Sequence, residues 1–302
     1  MTFTRDLEHE LRRHVAALAT QIGERNIWCR GSLTAAANYV EAEWRSQGYS
    51  VAPQACYAVH GETCRNLEVA IPGGARSSEI LLVGAHYDTV CASPGANDNA
   101  SGVAALLEIA RMLKGAQPAQ TLRLLAFVNE ESPFFRSDQM GSAIYARAAR
   151  ARHDNITLML SLEMLGCYDD APGSQSYPPF LRPFYPDRGN FIAFVSNLGG
   201  RQSLRRLAAA FRSQSQFPCE TLAAPAIVPG LSWSDHRSFL QVGYKAVMVT
   251  DTAFYRYRHY HSPDDTEEKL NYRSMAQVVD GLARALAVMA GGNPPHPRPP
   301  TA

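Results

Sequence analysis

The chain has 302 residues, 46% of them hydrophobic and 19% charged, with a formal net charge of +1. That is the composition of a soluble globular protein, long enough for one large domain or two ordinary ones. A charge so near zero gives no reason to expect nucleic acid or an anionic membrane as partner, and no apolar run approaches the ~20 residues that span a bilayer.

Residues 4–23 mix Arg5, Asp6, Glu8, Glu10, Arg12 and Arg13 with Leu7, Leu11, Val15 and Leu18, the pattern of an amphipathic helix and not of a secretory leader. The expected location is therefore the cytoplasm, with secretion left open if a leader has been trimmed. Ser32 is placed to cap a second helix carrying Ala36, Val40 and Trp44, which stops at Gly48. Residues 50–57 and 63–71 alternate as two strands joined by a turn at His60 and Gly61, and Pro72-Gly73-Gly74 closes the pair. The six cysteines (29, 56, 64, 91, 167 and 219) show no CxxC spacing, and a chain this long needs no staples. Cys56 and Cys64, which flank the turn, are the one pair to check for a disulfide.

The continuous apolar run Ile80-Leu81-Leu82-Val83 predicts a strand buried on both faces. His86 and Asp88 follow it on one side, then a loop ending at Asp98, then Val103, Leu106, Leu107, Ala110 and Leu113 at helical spacing. Residues 121–128 form the next strand and run into Asn129-Glu130-Glu131. A helix over 140–151 and a strand over 156–165, with Glu163 near its end, come next. Residues 169–189 hold five prolines and several aromatics, too long for a neutral connection. With Tyr255 and Tyr257 this segment should wall a substrate side-chain pocket. A strand at 191–195, a helix at 204–211, a short helix begun by Ser232-Trp233-Ser234-Asp235, a strand at 246–250 and a helix at 276–289 complete the order. Alternation of this kind predicts an α/β fold, a three-layer α/β/α with a central, mostly parallel mixed sheet. No linker interrupts residues 1–290, which reads as a single domain followed by a Pro-rich disordered tail over 291–302.

On this plan His86, Asp88, Asp98, Glu130, Glu131, Glu163 and His261 can meet at one sheet edge, where ligands of open α/β sheets bind. Five carboxylates and two imidazoles call for neutralisation, and the mixed nitrogen and oxygen set suits zinc. A two-metal site needs one bridging carboxylate plus a nitrogen and a carboxylate for each ion. Asp98 as bridge, His86 and Glu163 on one ion, and Glu131 and His261 on the other meet that count. Glu130 is left beside a ligand, where a general base belongs. Other readings stand beside these. Ser232 to Asp235 is as well explained by a capping box as by a site role for Asp235 or His236, and Arg256 and Arg258 read as solvated.

In order, HYDTV, GANDNASGVA, NEES, SLEMLG, SDHRSF and YHSPDDT resemble the motifs of the co-catalytic di-zinc aminopeptidases, a family that also contains glutamate carboxypeptidase and glutaminyl cyclase. The resemblance covers roughly residues 30–290. It implies that His86, Asp98, Glu131, Glu163 and His261 bind two zinc ions and that Glu130 is the base. It further implies that Asp88 orients a histidine ligand and that Tyr260 helps hold the oxyanion. The family often has a cis peptide bond after the bridging aspartate, which implies one between Asp98 and Asn99. Where the family usually has aspartate this chain has Glu163, whose extra methylene the backbone must absorb.

The implied activity is a metallo-aminopeptidase hydrolysing the N-terminal peptide bond through metal-bound hydroxide, with peptide as substrate. The close alternative is a carboxypeptidase on acidic peptides, with Arg256 and Arg258 as candidate carboxylate holders. Glutaminyl cyclase-like acyl transfer and a receptor-like module without metals are the others; the retained ligand set speaks against the last. A monomer satisfies the reading, and the oligomeric state is open.

Overall fold

The computed structural model describes residues 2–59, 62–225 and 227–295. Eight strands form one sheet: β1 (Ala52–Val59), β2 (Glu62–Ile71), β3 (Arg76–His86), β4 (Gln120–Phe127), β5 (Asn155–Glu163), β6 (Ile192–Ser196), β7 (Cys219–Ala223) and β8 (Ala246–Thr250). Their order is β1-β2-β4-β3-β5-β8-β6-β7. The central run β4-β3-β5-β8 is parallel, as is β6 with β7, while β1 with β2, β2 with β4 and β8 with β6 are antiparallel. From Ile80 onward every residue of β3 is buried, and β8 is buried throughout. Strands sheathed on both faces read as unbroken apolar runs for this reason.

Among the described residues seven helices cover the sheet: α1 (Thr2–Val15), α2 (Ser32–Ser46), α3 (Gly102–Leu113), α4 (Gly141–Ala151), α5 (Arg201–Gln214), α6 (His236–Gln241) and α7 (Tyr272–Met289). The larger core lies between one face and α1, α2, α3, α5 and α7, with Trp44, Leu67, Phe194 and Phe211 fully buried. On the other face Tyr145, Ala146 and Phe239 of α4 and α6 pack over Leu82, Leu125 and Phe127. The fold is thus the expected three-layer α/β/α.

Some boundaries differ. The first helix continues past Val15 as a π-helical stretch, Ala16–Ile22, and α7 begins at Tyr272, four residues before the apolar spacing becomes clear. β7 was not expected from CETLA: it is a short edge strand in which only Cys219 is buried, so it lacks the apolar run of the central strands. Cys56, of the pair suggested for a disulfide, has its side chain outside the described residues. In the expected tail the Pro295 carbonyl accepts from Arg284 at 3.0 Å, and residues 296–302 lie outside the described residues. No helix among the described residues is long and apolar enough to cross a membrane.

Candidate active site

β3, β4, β5 and β8 end at one edge, and each end hands over a polar residue. His86 closes β3, Glu130 and Glu131 follow β4, Glu163 closes β5, and Asp251 follows β8. Between β3 and α3 the chain turns through Gly95, in the left-handed region at φ 61, into residues 96–101. The peptide bond between Asp98 and Asn99 is cis. Gly102 starts α3 where a Cβ would come within 2.3 Å of Asn99 Oδ1 and 2.7 Å of the Leu162 carbonyl, so glycine is required there.

The seven polar residues expected at this edge all reach it. His86 Nε2 lies 3.5 Å from Asp98 Oδ1 and 3.5 Å from Glu163 Oε2. His261 Nε2 lies 3.1 Å from Asp98 Oδ2 and 3.3 Å from Glu131 Oε1. Asp98 therefore turns one oxygen to each histidine. A tetrahedral ion with bonds of ~2.0–2.1 Å separates its ligand atoms by roughly 3.3–3.4 Å, close to the histidine-to-carboxylate distances of both triads, whose candidate atoms all lie within 4.8 Å of one another. Asp98 Oδ1 and Glu130 Oε1 are buried without a hydrogen-bond partner.

The electrostatics point the same way. Burial opposes a charge on His86, yet Glu163, Asp88 and Asp98 hold its pKa well above the ordinary value. Burial likewise opposes the charge of His261, but hydrogen bonds to Asp98 and Glu131 push it up to about 10. Burial, with Asp98 adding repulsion, raises Glu131 to about 7. Glu130 is raised well above its usual range by burial, with Glu131, Glu163 and Asp235 adding to the shift. Protonated imidazoles thus supply counter-charge inside the cluster, with the buried Arg25 guanidinium also attracting Asp88 and Asp98, and a divalent cation could take the place of those protons.

The supporting shell is built from main-chain amides. Asp88 accepts the Glu130 N–H at 3.1 Å on one oxygen and the Glu131 N–H at 3.0 Å on the other. Its carboxylate stands 3.6 Å from His86 Nδ1, too far for a hydrogen bond, while its own carbonyl takes that nitrogen at 3.1 Å. Asp88 does orient His86, then, but through its backbone. A carbonyl only accepts, so Nδ1 carries a proton toward it, and Nε2 is the nitrogen that faces Asp98 and Glu163. Asp265 accepts the amides of Asn97 at 2.8 Å and Asp98 at 3.0 Å. Asp251 accepts from Asn97 Nδ2 and the Cys167 amide. Neither role was anticipated, although Asp265 stands inside the YHSPDDT motif.

Ser234 donates to Glu163 Oε2 at 2.6 Å and lies 2.7 Å from Ser161 Oγ, which fixes the longer glutamate at the end of β5. Asp235 makes no cap hydrogen bond to α6, so the capping-box alternative is set aside. It is fully buried beside the cluster, and burial pushes it up to about 7. His236 bonds the Leu231 carbonyl at 2.8 Å and is driven down to about 4 by burial. Tyr260 stacks on His261, ring centroids 3.8 Å apart.

Beside Glu163 and Tyr260 opens an apolar cavity of about 100 Å³. Gln175, Tyr177, Pro178, Leu181 and Tyr185 of the Pro-rich segment line it, as does Tyr255. Tyr257, expected in the wall, is buried and bonds Asp265 Oδ1 at 2.8 Å instead. Arg256 is not solvated as expected, and it does not line this cavity. Its guanidinium bonds Gln175 Oε1 and the carbonyls of Cys167 and Phe191, with Phe191's ring 4.5 Å below. Arg258 is exposed.

Comparison with known proteins matches residues 66–286 to the model of Peptidase family M28. The uncharacterized protein YfbL of Escherichia coli (strain K12) is 39% identical over 286 residues, 92% of this chain and 87% of YfbL. A probable zinc metalloprotease of Pyrenophora tritici-repentis (strain Pt-1C-BFP) is 26% identical over 238 residues, 72% of this chain and 48% of its own, so the chain spans about half of that relative. The structure of BSAP, a zinc aminopeptidase from Bacillus subtilis, superposes with a TM-score of 0.73 over 95% of both chains at 15% identity.

Proposed function

The chain belongs to peptidase family M28, and on that premise we propose that it is a di-zinc aminopeptidase that hydrolyses the N-terminal peptide bond of peptides. The observation that carries this reading is the shared Asp98, one oxygen toward the His86 and Glu163 pair and the other toward the Glu131 and His261 pair. His86, Asp98 and Glu163 would hold one ion, and Asp98, Glu131 and His261 the other. When bound, two such ions supply Lewis acidity that polarises the scissile carbonyl and acidifies the attacking water. Glu130, buried next to Glu131, would take the proton of that water and return it to the leaving amine. Asp88 keeps Glu130 and Glu131 apart in role by pinning both their amides. Tyr260, held flat on His261, presents its hydroxyl to the developing oxyanion.

The choice of aminopeptidase over a carboxypeptidase on acidic peptides rests on the cavity. Among the described residues no lysine, arginine or histidine lines it, and its two charged side chains are the acids Glu163 and Glu220. A free carboxylate has no partner there. The test is metal analysis of the purified protein, together with turnover of aminoacyl and N-blocked acyl-peptide substrates with and without chelator. Two zinc ions per chain and chelator-sensitive release of free N-terminal residues are expected. Cleavage of N-blocked peptides from the carboxyl end would overturn the assignment.

A further inference from the structure

We propose that the cavity beside the ligand cluster selects a long basic side chain, lysine or arginine, and that Glu220 at its far end recognises the charged tip. The inference rests on the aminopeptidase reading of the same site and names its substrate class.

The register of the sheet carries it. Glu163 of β5 pairs with Thr250 of β8, Thr250 with Ala193 of β6, and Ala193 with Glu220 of β7. Paired residues on neighbouring strands project from the same face, so these four form one straight row, and all four line the cavity. At ~4.8 Å per strand the row is about 14 Å long, with a carboxylate at each end. The next row on that face, Ser161-Met248-Val195-Leu222, supplies three apolar side chains beside it. The cavity is thus an apolar trough with one acid at the ligand cluster and a second acid at the opposite end.

Glu220 has no hydrogen bond or ion pair among the described residues. The nearby Arg212 spends a guanidinium N–H on the Cys219 carbonyl, at 2.9 Å. Burial raises the Glu220 carboxyl above its ordinary value against the pull of the nearby Arg212, so the carboxylate is partly desolvated, and its side chain makes no ion pair among the described residues. Tyr177 and Tyr185 stack at that end, centroids 5.7 Å apart, and their hydroxyls are spent on the carbonyls of Pro186 and Thr221. They therefore offer ring surface, which suits an ammonium or guanidinium. A lysine or arginine lays its methylene stem along the apolar floor and carries its charge to Glu220. Leucine fits the floor but leaves Glu220 unpaired, and an acidic side chain meets like charge.

The test compares lysyl, arginyl, norleucyl, leucyl and glutamyl 4-nitroanilides on the zinc-loaded protein and on Glu220→Gln. Norleucine keeps an unbranched apolar stem and lacks the charge. The expected result is a kcat/KM for the lysyl and arginyl substrates at least about tenfold above norleucyl, with Glu220→Gln bringing that ratio near one. A wild-type ratio at or below one, or a ratio untouched by Glu220→Gln, overturns the inference while leaving the aminopeptidase reading intact. If no anilide is turned over, that reading fails, and calorimetric binding of lysinamide against norleucinamide then judges the pocket by itself. Tighter lysinamide binding that Glu220→Gln abolishes supports it, and equal binding refutes it.

Discussion

Replacing Asp88 by asparagine should disable one half of the site and spare the other. The carboxylate accepts the adjacent Glu130 and Glu131 amides at 3.1 and 3.0 Å, so it fixes the two successive peptides that carry the proposed base and a proposed ligand. Asparagine is nearly isosteric but has one acceptor oxygen; its NH₂ must face the other amide. One charge-assisted bond, worth about 1.5–3 kcal/mol, is lost, and one buried N–H is left unmet at about 1–3 kcal/mol more. His86 is held by the Asp88 main-chain carbonyl at 3.1 Å, which the substitution keeps. The damage should therefore concentrate on Glu130 and on the Glu131 and His261 triad. Titration of metal-free protein with zinc should show one site near wild-type affinity and one weakened roughly 10–100-fold. At saturating zinc, kcat/KM should fall about 10²-fold through displacement of Glu130. Two unaltered zinc affinities with turnover within about threefold of wild type would refute the claim that Asp88 positions these residues.

Glu130→Gln should keep both metals and lose roughly 10²–10⁴-fold in rate, whereas Glu131→Gln should lose metal first; near-normal turnover by zinc-loaded Glu130→Gln would remove Glu130 from the base role. Zinc binding should release protons at neutral pH, because His261 without a cation is held at about 10 and is charged there. The sign follows from the raised value: in metal-free protein the His261 pairing stabilises the fold fully below the unfolded imidazole pKa of about 6.5 and is lost as pH rises through about 10. Calorimetry in buffers of different ionisation enthalpy checks this, and binding heats independent of buffer would contradict it. Arg25→Leu should destabilise the protein by at least about 3 kcal/mol in denaturant, because the fully buried guanidinium is ringed by the carbonyls of Leu18, Gly23, Tyr87, Pro94 and Gly95 and the substitution leaves them unmet. A loss under about 1 kcal/mol would mean that water replaces the side chain.

The central strands could be read from sequence because burial on both faces demands long apolar runs, and His86, Glu131 and Glu163 among the candidate ligands because each sits at or just past the end of such a run. His86 and Glu163 are the last residues of β3 and β5, so locating the strand located the side chain. β7 escaped because an edge strand buries so little that Cys219 alone is covered. The loop 255–260 escaped in another way. Its alternating tyrosines and arginines do not say which side faces in, and the structure turns Tyr257 and Arg256 inward while leaving Arg258 exposed.

What holds the ligands was illegible for a different physical reason. Asp265, Asp251 and Asn97 act on main-chain groups, and every residue but proline offers the same amide, so no side-chain pattern marks the partner. Asp265 binds amides 167 and 168 residues away in the chain, and Asp251 holds Asn97 across 154. Asn97 in turn accepts the Gly166 amide, and Asn99 accepts those of Gly102 and Met164. Through these bonds the loop bearing Asp98 is tied to the segment after Glu163 and to the loop after His261. One side of each triad is thus set by the same buried network that sets the other. A change in any of these three acids or amides should shift Asp98 relative to both histidines together, which is the coupling a shared carboxylate requires and a pair of independent sites would not.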